Sequence, residues 1–363
     1  ISRDTKIKQD LKEKNIEVET FNAHLLNEPW EVQNNSGLYF KVFTPYWRKA
    51  FDVYKAKKYQ ITSLKSIDPL EHNEKTQWNF LPSKKWYQKF SNYWKPGEEA
   101  ALEKLKYYIN NHIDNYKEGR DRPDLDQTSR LSPHLRFGEI SPRMIVNQVI
   151  KSKKLDISSL TFLSEIGWRE FSYSLLYYSK DLSTMPINEK FSKFPWRKNE
   201  KDLNLWKKGK TGIPLIDAAM RQIYDNGWMH NRLRMVVGSF LVKNLLLNWT
   251  YGERYFQNTL LDYDEASNAA GWQWIAGCGA DASPYFRVFN PVLQSERFDP
   301  QAKFILKYLP DLEELKKPSL IFQPYLSEES LNNLVKNNQY YYPIVDLKDS
   351  RNRALEAYQR IKS

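Results

Sequence analysis

The chain has 363 residues and a formal charge of +11 at pH 7, with 55 lysines and arginines against 44 acidic residues. Its single cysteine excludes an intramolecular disulfide framework and a cysteine metal cage, and its five histidines lack ligand spacing, so we expect no metal. No run approaches the roughly 20 apolar residues of a membrane span. The charge favours a polyanionic partner, nucleic acid above all, over a merely solvated basic surface, and the cysteine count predicts a reducing, cytoplasmic compartment.

The first 40 residues are predicted to form one helix and one strand. Residues 2–15 have helical composition with Ile7 and Leu11 on one face, and residues 16–21 alternate as a strand does. Because one strand cannot bury itself, we interpret residues 1–40 as the C-terminal remnant of an α/β domain whose other strands lie upstream.

The remainder divides into two parts by composition. Residues 41–95 are rich in Lys, Pro, Trp, Tyr and Ser with little periodicity, which predicts a long connector over the surface. Residues 96–363 carry successive helical patterns, several preceded by Ser or Thr and followed by Gly or Asn, as helix caps are. The fold class is therefore predicted as mainly α.

Four short segments carry polar groups in patterns that suit a ligand. Residues 128–132 place three hydroxyls and an arginine before a helix, which fits either a phosphate site or, as an isolated pattern more often, an ordinary N-cap. Glu165, Trp168 and Arg169 share one helix face, which fits a flat polar aromatic ligand as well as an intrahelical ion pair beside a core tryptophan.

The other two segments lie further along the chain. Asn231 and Met235 share a face that is a reasonable floor for a nucleobase pocket, or a core methionine beside a solvated basic face, with Arg232 and Arg234 turned elsewhere. The carboxylates two apart in LDYDEASN could serve acid–base chemistry, ribose hydroxyls or a buried arginine, and we prefer a ligand-holding role.

Tryptophan is abundant and concentrated in helical segments. Trp272 and Trp274 lie two residues apart and therefore project in well-separated directions, and Trp249 and Trp196 lie upstream. So many indoles on a basic protein indicate work with stacked bases or with electrons.

The segments TSRLSPHLRFGEISPR, EIGWREF, KTGIPLIDAAMRQ, GWMHNRLRMVVGSFLVK, GERYF and NAAGWQWIAGCGADASPYFRVFNP occur in this order. With them the chain resembles the DNA photolyase/cryptochrome family, and is most similar to class I cyclobutane pyrimidine dimer photolyases. The resemblance implies an all-helical FAD-binding domain after an α/β antenna domain, of which only the last helix and strand are expected here.

The resemblance also implies residue roles. The FAD contacts would be Tyr116, Thr128, Ser129, Arg130, Leu131, Ser132, Phe162, Arg169, Asp262, Asp264 and Asn268, the last beside the reactive flavin nitrogen and, with Glu165, catalytic. The lesion and DNA contacts would be Arg120, Glu165, Trp168, Asn231, Arg232, Met235, Trp274, Arg287 and Gln294. Electrons would reach the flavin through Trp196, Trp249 and Trp272, in order from the surface inward.

The function implied is light-driven repair of pyrimidine dimers by electron transfer from reduced, anionic FAD to a flipped-out dimer. The partner would be damaged DNA, and the protein a monomer. The alternative from another class is a cryptochrome-like blue-light photoreceptor with the same flavin and tryptophans. We expect no antenna pigment, because most residues for one would lie upstream of residue 1.

Overall fold

Helices dominate the computed structural model of the chain, which describes residues 2–57, 83–152, 155–179, 181–282 and 286–362. The expected connector therefore lies partly outside the described residues, at 58–82. The helices are α1 (Ser2–Glu13), α2 (Phe43–Ala56), α3 (Glu98–Asn111), α4 (Tyr116–Gly119), α5 (Ser132–Arg136), α6 (Pro142–Ser152), α7 (Ile157–Tyr178), α8 (Glu200–Lys207), α9 (Pro214–Asn226), α10 (Asn231–Ser239), α11 (Trp249–Thr259), α12 (Glu265–Ala276), α13 (Pro291–Phe298), α14 (Lys303–Tyr308), α15 (Pro318–Phe322), α16 (Glu328–Lys336) and α17 (Leu347–Lys362). A π-helix, Phe240–Asn244, continues α10.

The mainly helical fold class is confirmed, but the expected strand at residues 16–21 is wrong. These residues have no regular secondary structure, although α1 before them forms as predicted. The described residues offer no neighbouring strand to pair with, and an unpaired strand leaves its backbone groups to water. Phe21 is accordingly 82% exposed.

A second correction falls inside the expected connector, where α2 forms a regular helix. Its buried residues Phe43, Tyr46, Ala50 and Tyr54 follow a helical spacing of three and four. Pro45 conceals this pattern in the sequence, yet it lies in the first turn, where the backbone amide needs no intrahelical acceptor. α2 packs against α7, so it belongs to the helical body.

Two helices at the centre of the fold carry most of the candidate site. α7 begins at the N-cap Asp156, whose carboxylate accepts from the amide of Ser159 at 2.8 Å. α12 begins at the N-cap Asp264 and ends at Gly277, which has the left-handed conformation that terminates helices. α7 and α12 pack against each other, α2, α4 and α6 cover α7, and α10 and α11 cover α12.

No helix among the described residues is long and apolar enough to cross a bilayer.

Candidate functional site

One face of α12 borders an open space. Asp264, Asn268 and Gly271 lie on this face at helical spacing, and a Cβ built on Gly271 would meet no atom within 4 Å. The Asn268 amide nitrogen donates to the backbone and carboxylate oxygens of Glu253, both at 3.1 Å. Since the amide nitrogen is engaged there, the amide oxygen of Asn268 is left as an acceptor for a ligand.

Across this face, α7 contributes a hydrogen-bonded group around Asp264. The Tyr173 hydroxyl donates to the Asp264 carboxylate and also contacts His24 Nε2 at 2.6 Å. Arg169 donates to the His24 carbonyl at 2.9 Å, and its guanidinium stands 4.8 Å over the Tyr173 ring. Burial, and next the charge of Arg169, lower the pKa of His24 to about 4, which keeps the imidazole neutral.

Arg169 and Asp264 are thus brought together as expected, whereas Tyr173 and His24 were missed. Tyr173 lies four residues after Arg169 on α7, so the helical period could have indicated it. His24 lies in an irregular segment that carries no such signal.

Asp262 is held by Arg234, a partner that the sequence did not indicate for it. Its two carboxylate oxygens accept from Arg234 at 3.0 and 2.8 Å, and Arg234 also donates to the Met229 carbonyl at 2.8 Å. Of the roles left open for Asp262, the structure realises the pairing with an arginine.

Residues 128–132 lead into α5 without capping it through a hydroxyl group. Leu131, not a hydroxyl, occupies the N-cap of α5, so the ordinary N-cap interpretation is wrong. Arg130 has a positive φ of 50°, pairs with Asp126 at 3.0 Å and lies 5.3 Å from the Trp228 ring. The Ser132 hydroxyl accepts from the Trp228 indole at 3.2 Å.

The expected lesion-binding residues on α4 and α7 do come together. Glu165 pairs with Arg120 at 2.6 Å, and the Arg120 guanidinium stands 5.6 Å over the Tyr116 ring. Tyr116 in turn meets Phe162 edge to face at 5.4 Å. Burial raises the pKa of Glu165, although the positive charge of Arg120 opposes this.

Trp168 presents only one ring face to a ligand. Its other face stacks on Phe43 of α2, with ring centroids 3.8 Å apart and planes at 8°. Phe43 was missed because it falls in the segment interpreted as a connector. It fixes the plane of the indole against which a base would stack.

The Phe298 ring of α13 contacts Arg232 of α10 and so connects the two helices that carry expected DNA contacts. Arg232 pairs with Asp121 at 2.6 Å and stands 4.5 Å over Phe298 of α13. Gln294, one turn before Phe298, is buried, whereas Asn231 is exposed and Met235 half-buried. Arg232 thus lies beside α13, the helix that carries Gln294.

The tryptophans run from the interior towards the surface. Trp272 is 2% exposed, and α11 approaches it so closely that a Cβ on Gly252 would stand 2.1 Å from its ring. Trp249, also buried, begins α11. Trp196 is half-buried, and its neighbour Arg197 bridges to Leu247, two residues before Trp249. Trp274 points away from Trp272 and is half-buried, as the two-residue spacing predicted.

The comparisons with known proteins identify the family. Residues 162–360 match the model of the FAD binding domain of DNA photolyase, and residues 1–65 match the DNA photolyase model. The chain therefore belongs to the DNA photolyase family.

The chain is also similar over its whole length to individual members. It is 42% identical to a deoxyribodipyrimidine photo-lyase of Agrobacterium fabrum, with 100% of this chain and 77% of the relative covered. A bacterial class III photolyase structure from Agrobacterium tumefaciens aligns with a TM-score of 0.89 at 40% identity, covering 99% of this chain and 77% of the other. A cryptochrome structure from Synechocystis aligns with a TM-score of 0.78 at 27% identity, covering 96% and 74%. Membership of class I stays a prediction beside this likeness to a class III enzyme.

The site fits FAD. Several buried polar atoms lack a hydrogen-bond partner among the described residues, and such atoms are costly unless a ligand satisfies them. They include Arg130 Nε and Trp272 Nε1. The open side of Gly271 provides space for a large aromatic cofactor, and the free amide oxygen of Asn268 provides a polar contact. The charge-paired Arg130 and Arg169 provide contacts for its phosphates.

Proposed function

We propose that this chain repairs cyclobutane pyrimidine dimers in DNA by light-driven electron transfer, as a deoxyribodipyrimidine photo-lyase with FAD. The observation that carries the proposal is the packing of α12 on α7. α12 carries the Asp264–Asn268–Gly271 face, and α7 carries Glu165, Trp168 and Arg169. Two helices in contact thus bear the residues for the cofactor and those for the substrate.

Holding the cofactor is the first task of the chain. Asn268 accepts a hydrogen bond through its oriented amide oxygen, while Asp264 and the Arg234–Asp262 pair take hydroxyl and polar groups. Arg169, Arg130 and the hydroxyls of residues 128–132 bind the anionic phosphates. Bound reduced flavin supplies the excited electron; the protein supplies position and exclusion of water.

Recognition of the dimer falls to the residues around Glu165. The free face of Trp168 stacks on a flipped-out base, Arg120 donates to carbonyl oxygens of the dimer, and the Glu165 carboxylate accepts from its imide N–H groups. Burial raises the pKa of Glu165 while Arg120 opposes this, and the carboxyl group lies where it can hydrogen-bond a dimer that has gained negative charge.

The tryptophans serve a separate task. Trp196, Trp249 and Trp272 would carry electrons inward, from an external reductant such as a thiol at the half-exposed indole of Trp196 to the buried Trp272. This relay restores the reduced cofactor when it has been oxidised, and repair by chemically reduced protein does not need it.

Damaged DNA is the proposed partner, bound mainly through its phosphates and therefore sensitive to salt. We further propose that the protein acts as a monomer, in the cytoplasm with the nucleoid.

The test is illumination of chemically reduced protein with an oligonucleotide that contains one thymine dimer, followed as recovery of thymine absorbance. Replacing Glu165 by Gln keeps the size and removes the acidic proton. It should lower the repair rate about tenfold, the effect of losing roughly 1.4 kcal/mol of transition-state stabilisation. Exposed Gln257→Ala on α11 is the control and should repair as the parent does. If the parent protein binds its full complement of flavin but leaves the dimer unrepaired, the result would instead favour the second candidate function.

That second candidate is a blue-light photoreceptor, which the likeness to the Synechocystis cryptochrome structure favours. Such a protein would photoreduce its flavin through the same tryptophans without recovering thymine absorbance in the same assay.

A further inference from the structure

Lys243 is a buried amine that the proposed repair reaction leaves unexplained. It is 3% exposed, lies in the π-helix that continues α10, and pairs with no carboxylate among the described residues. Burial, and next the charge of Arg287, lower its pKa to about 7. Burying an amine costs free energy unless polar contacts replace its lost hydration, so the contacts of Lys243 indicate why it is buried.

Those contacts all go to one extended segment, residues 286–289. The Lys243 amine donates to the backbone carbonyl of Arg287 and stands 4.8 Å from the Phe286 ring. One turn earlier on the same helix, the Ser239 hydroxyl accepts from the backbone amide of Phe289 at 3.1 Å. Two side chains four residues apart therefore fasten the backbone on both sides of Val288.

The rings of the segment face inward, and its arginine faces outward. Phe286 and Phe289 are buried, and Phe286 also stacks on Tyr358 of α17 at 4.6 Å with planes at 8°. Arg287 is exposed, with its guanidinium 4.8 Å over the Phe289 ring. No carboxylate pairs with it in the part of the chain that the structure describes, unlike Arg120 and Arg232. Its charge is thus available to an external anion.

We propose that Lys243 is a positioning residue for DNA binding: it fixes the backbone of Arg287 so that this guanidinium meets a DNA phosphate beside the lesion. The proposal rests on the proposed function for the identity of the anion. The same continuous helix carries Asn231 and Met235 at its other end. One rigid element therefore sets the distance between the lesion pocket and this phosphate contact.

The test compares Lys243→Met, Arg287→Ala and the double variant in the flavin-bound protein. Methionine keeps the length of the side chain and removes the amine. Lys336→Met on α16, an exposed lysine, is the charge-matched control. Dissociation constants for a dimer-containing duplex are measured across a salt series, and flavin absorbance and the melting temperature report folding.

Arg287→Ala should weaken binding and reduce the slope of log affinity against log salt by about 1, as the loss of one phosphate contact does. Lys243→Met should reproduce most of both changes, and the double variant should bind no worse than Arg287→Ala. Lys336→Met should match the parent in slope. If the double variant binds no worse than Arg287→Ala, the effects of the two substitutions are not additive, and this distinguishes positioning from general destabilisation.

Three results would overturn the proposal: independent losses that multiply in the double variant, an unchanged salt slope in folded Lys243→Met, or an Arg287→Ala protein that binds like the parent. If Lys243→Met fails to fold, Ser239→Ala takes its place, with the same direction, a smaller effect and the same refuting outcome. Should the parent bind duplex but never repair it while the variants behave as expected, the proposed function fails and the positioning role stands.

Discussion

Gly252 is the position where a single methyl group tests the packing of the electron relay. In Gly252→Ala the new Cβ would stand 2.1 Å from one carbon of the Trp272 ring and 2.5 Å from two others. Carbon atoms pack at about 3.5 Å, so the ring or α11 must shift by about 1.4 Å. Trp272 is already enclosed by Phe256 and Trp206, whose centroids lie 5.0 and 6.3 Å away.

The net effect is a balance of two terms. Overpacking of a filled core costs about 1–3 kcal/mol, whereas alanine in place of glycine within a helix stabilises by about 1 kcal/mol. We therefore expect a free energy of unfolding lower by about 1 kcal/mol, and slower photoreduction because the Trp272 ring is displaced.

The assay is thermal unfolding of the flavin-bound protein, combined with photoreduction of oxidised flavin under blue light with an external thiol. Gln257→Ala, exposed on the same helix, is the control and should change neither quantity. A Gly252→Ala protein that gains the full stabilisation of alanine and photoreduces at the parent rate would show that Trp272 does not pack on Gly252.

Two further predictions concern the cofactor space and the surface end of the relay. Gly271→Leu projects a side chain into the open space beside α12, so the purified protein should contain much less flavin while its far-ultraviolet circular dichroism is unchanged; full flavin content would place the cofactor elsewhere. Trp196→Phe should block photoreduction, since phenylalanine is harder to oxidise than tryptophan, yet spare repair by chemically reduced protein; normal photoreduction would exclude Trp196 as the outer member.

Local pattern was sufficient for much of this protein. Helical periodicity predicted α3, α6 and α17, because those helices bury one face and their apolar residues recur accordingly. The helical period put Trp168 and Arg169 on the same face of α7 as Glu165, and the two-residue spacing separated Trp272 from Trp274.

The secondary-structure prediction was wrong where the local sequence pattern disagreed with the tertiary environment of the segment. The alternation of residues 16–21 predicted a strand, but strands depend on partners, and the described residues provide none. Pro45 and the aromatic composition concealed α2, whose helical state is stabilised by packing on α7.

Tertiary structure alone decided which groups meet across the chain. His24 reaches Tyr173 across 149 positions, Arg234 reaches Asp262, and Lys243 reaches the Arg287 carbonyl. None of these pairs leaves a local signal, because each depends on how helices cross rather than on the period of one helix. Sequence fixes what a helix can bury, since that follows from its own side chains; the partners of its polar groups follow only from the packing of the whole molecule.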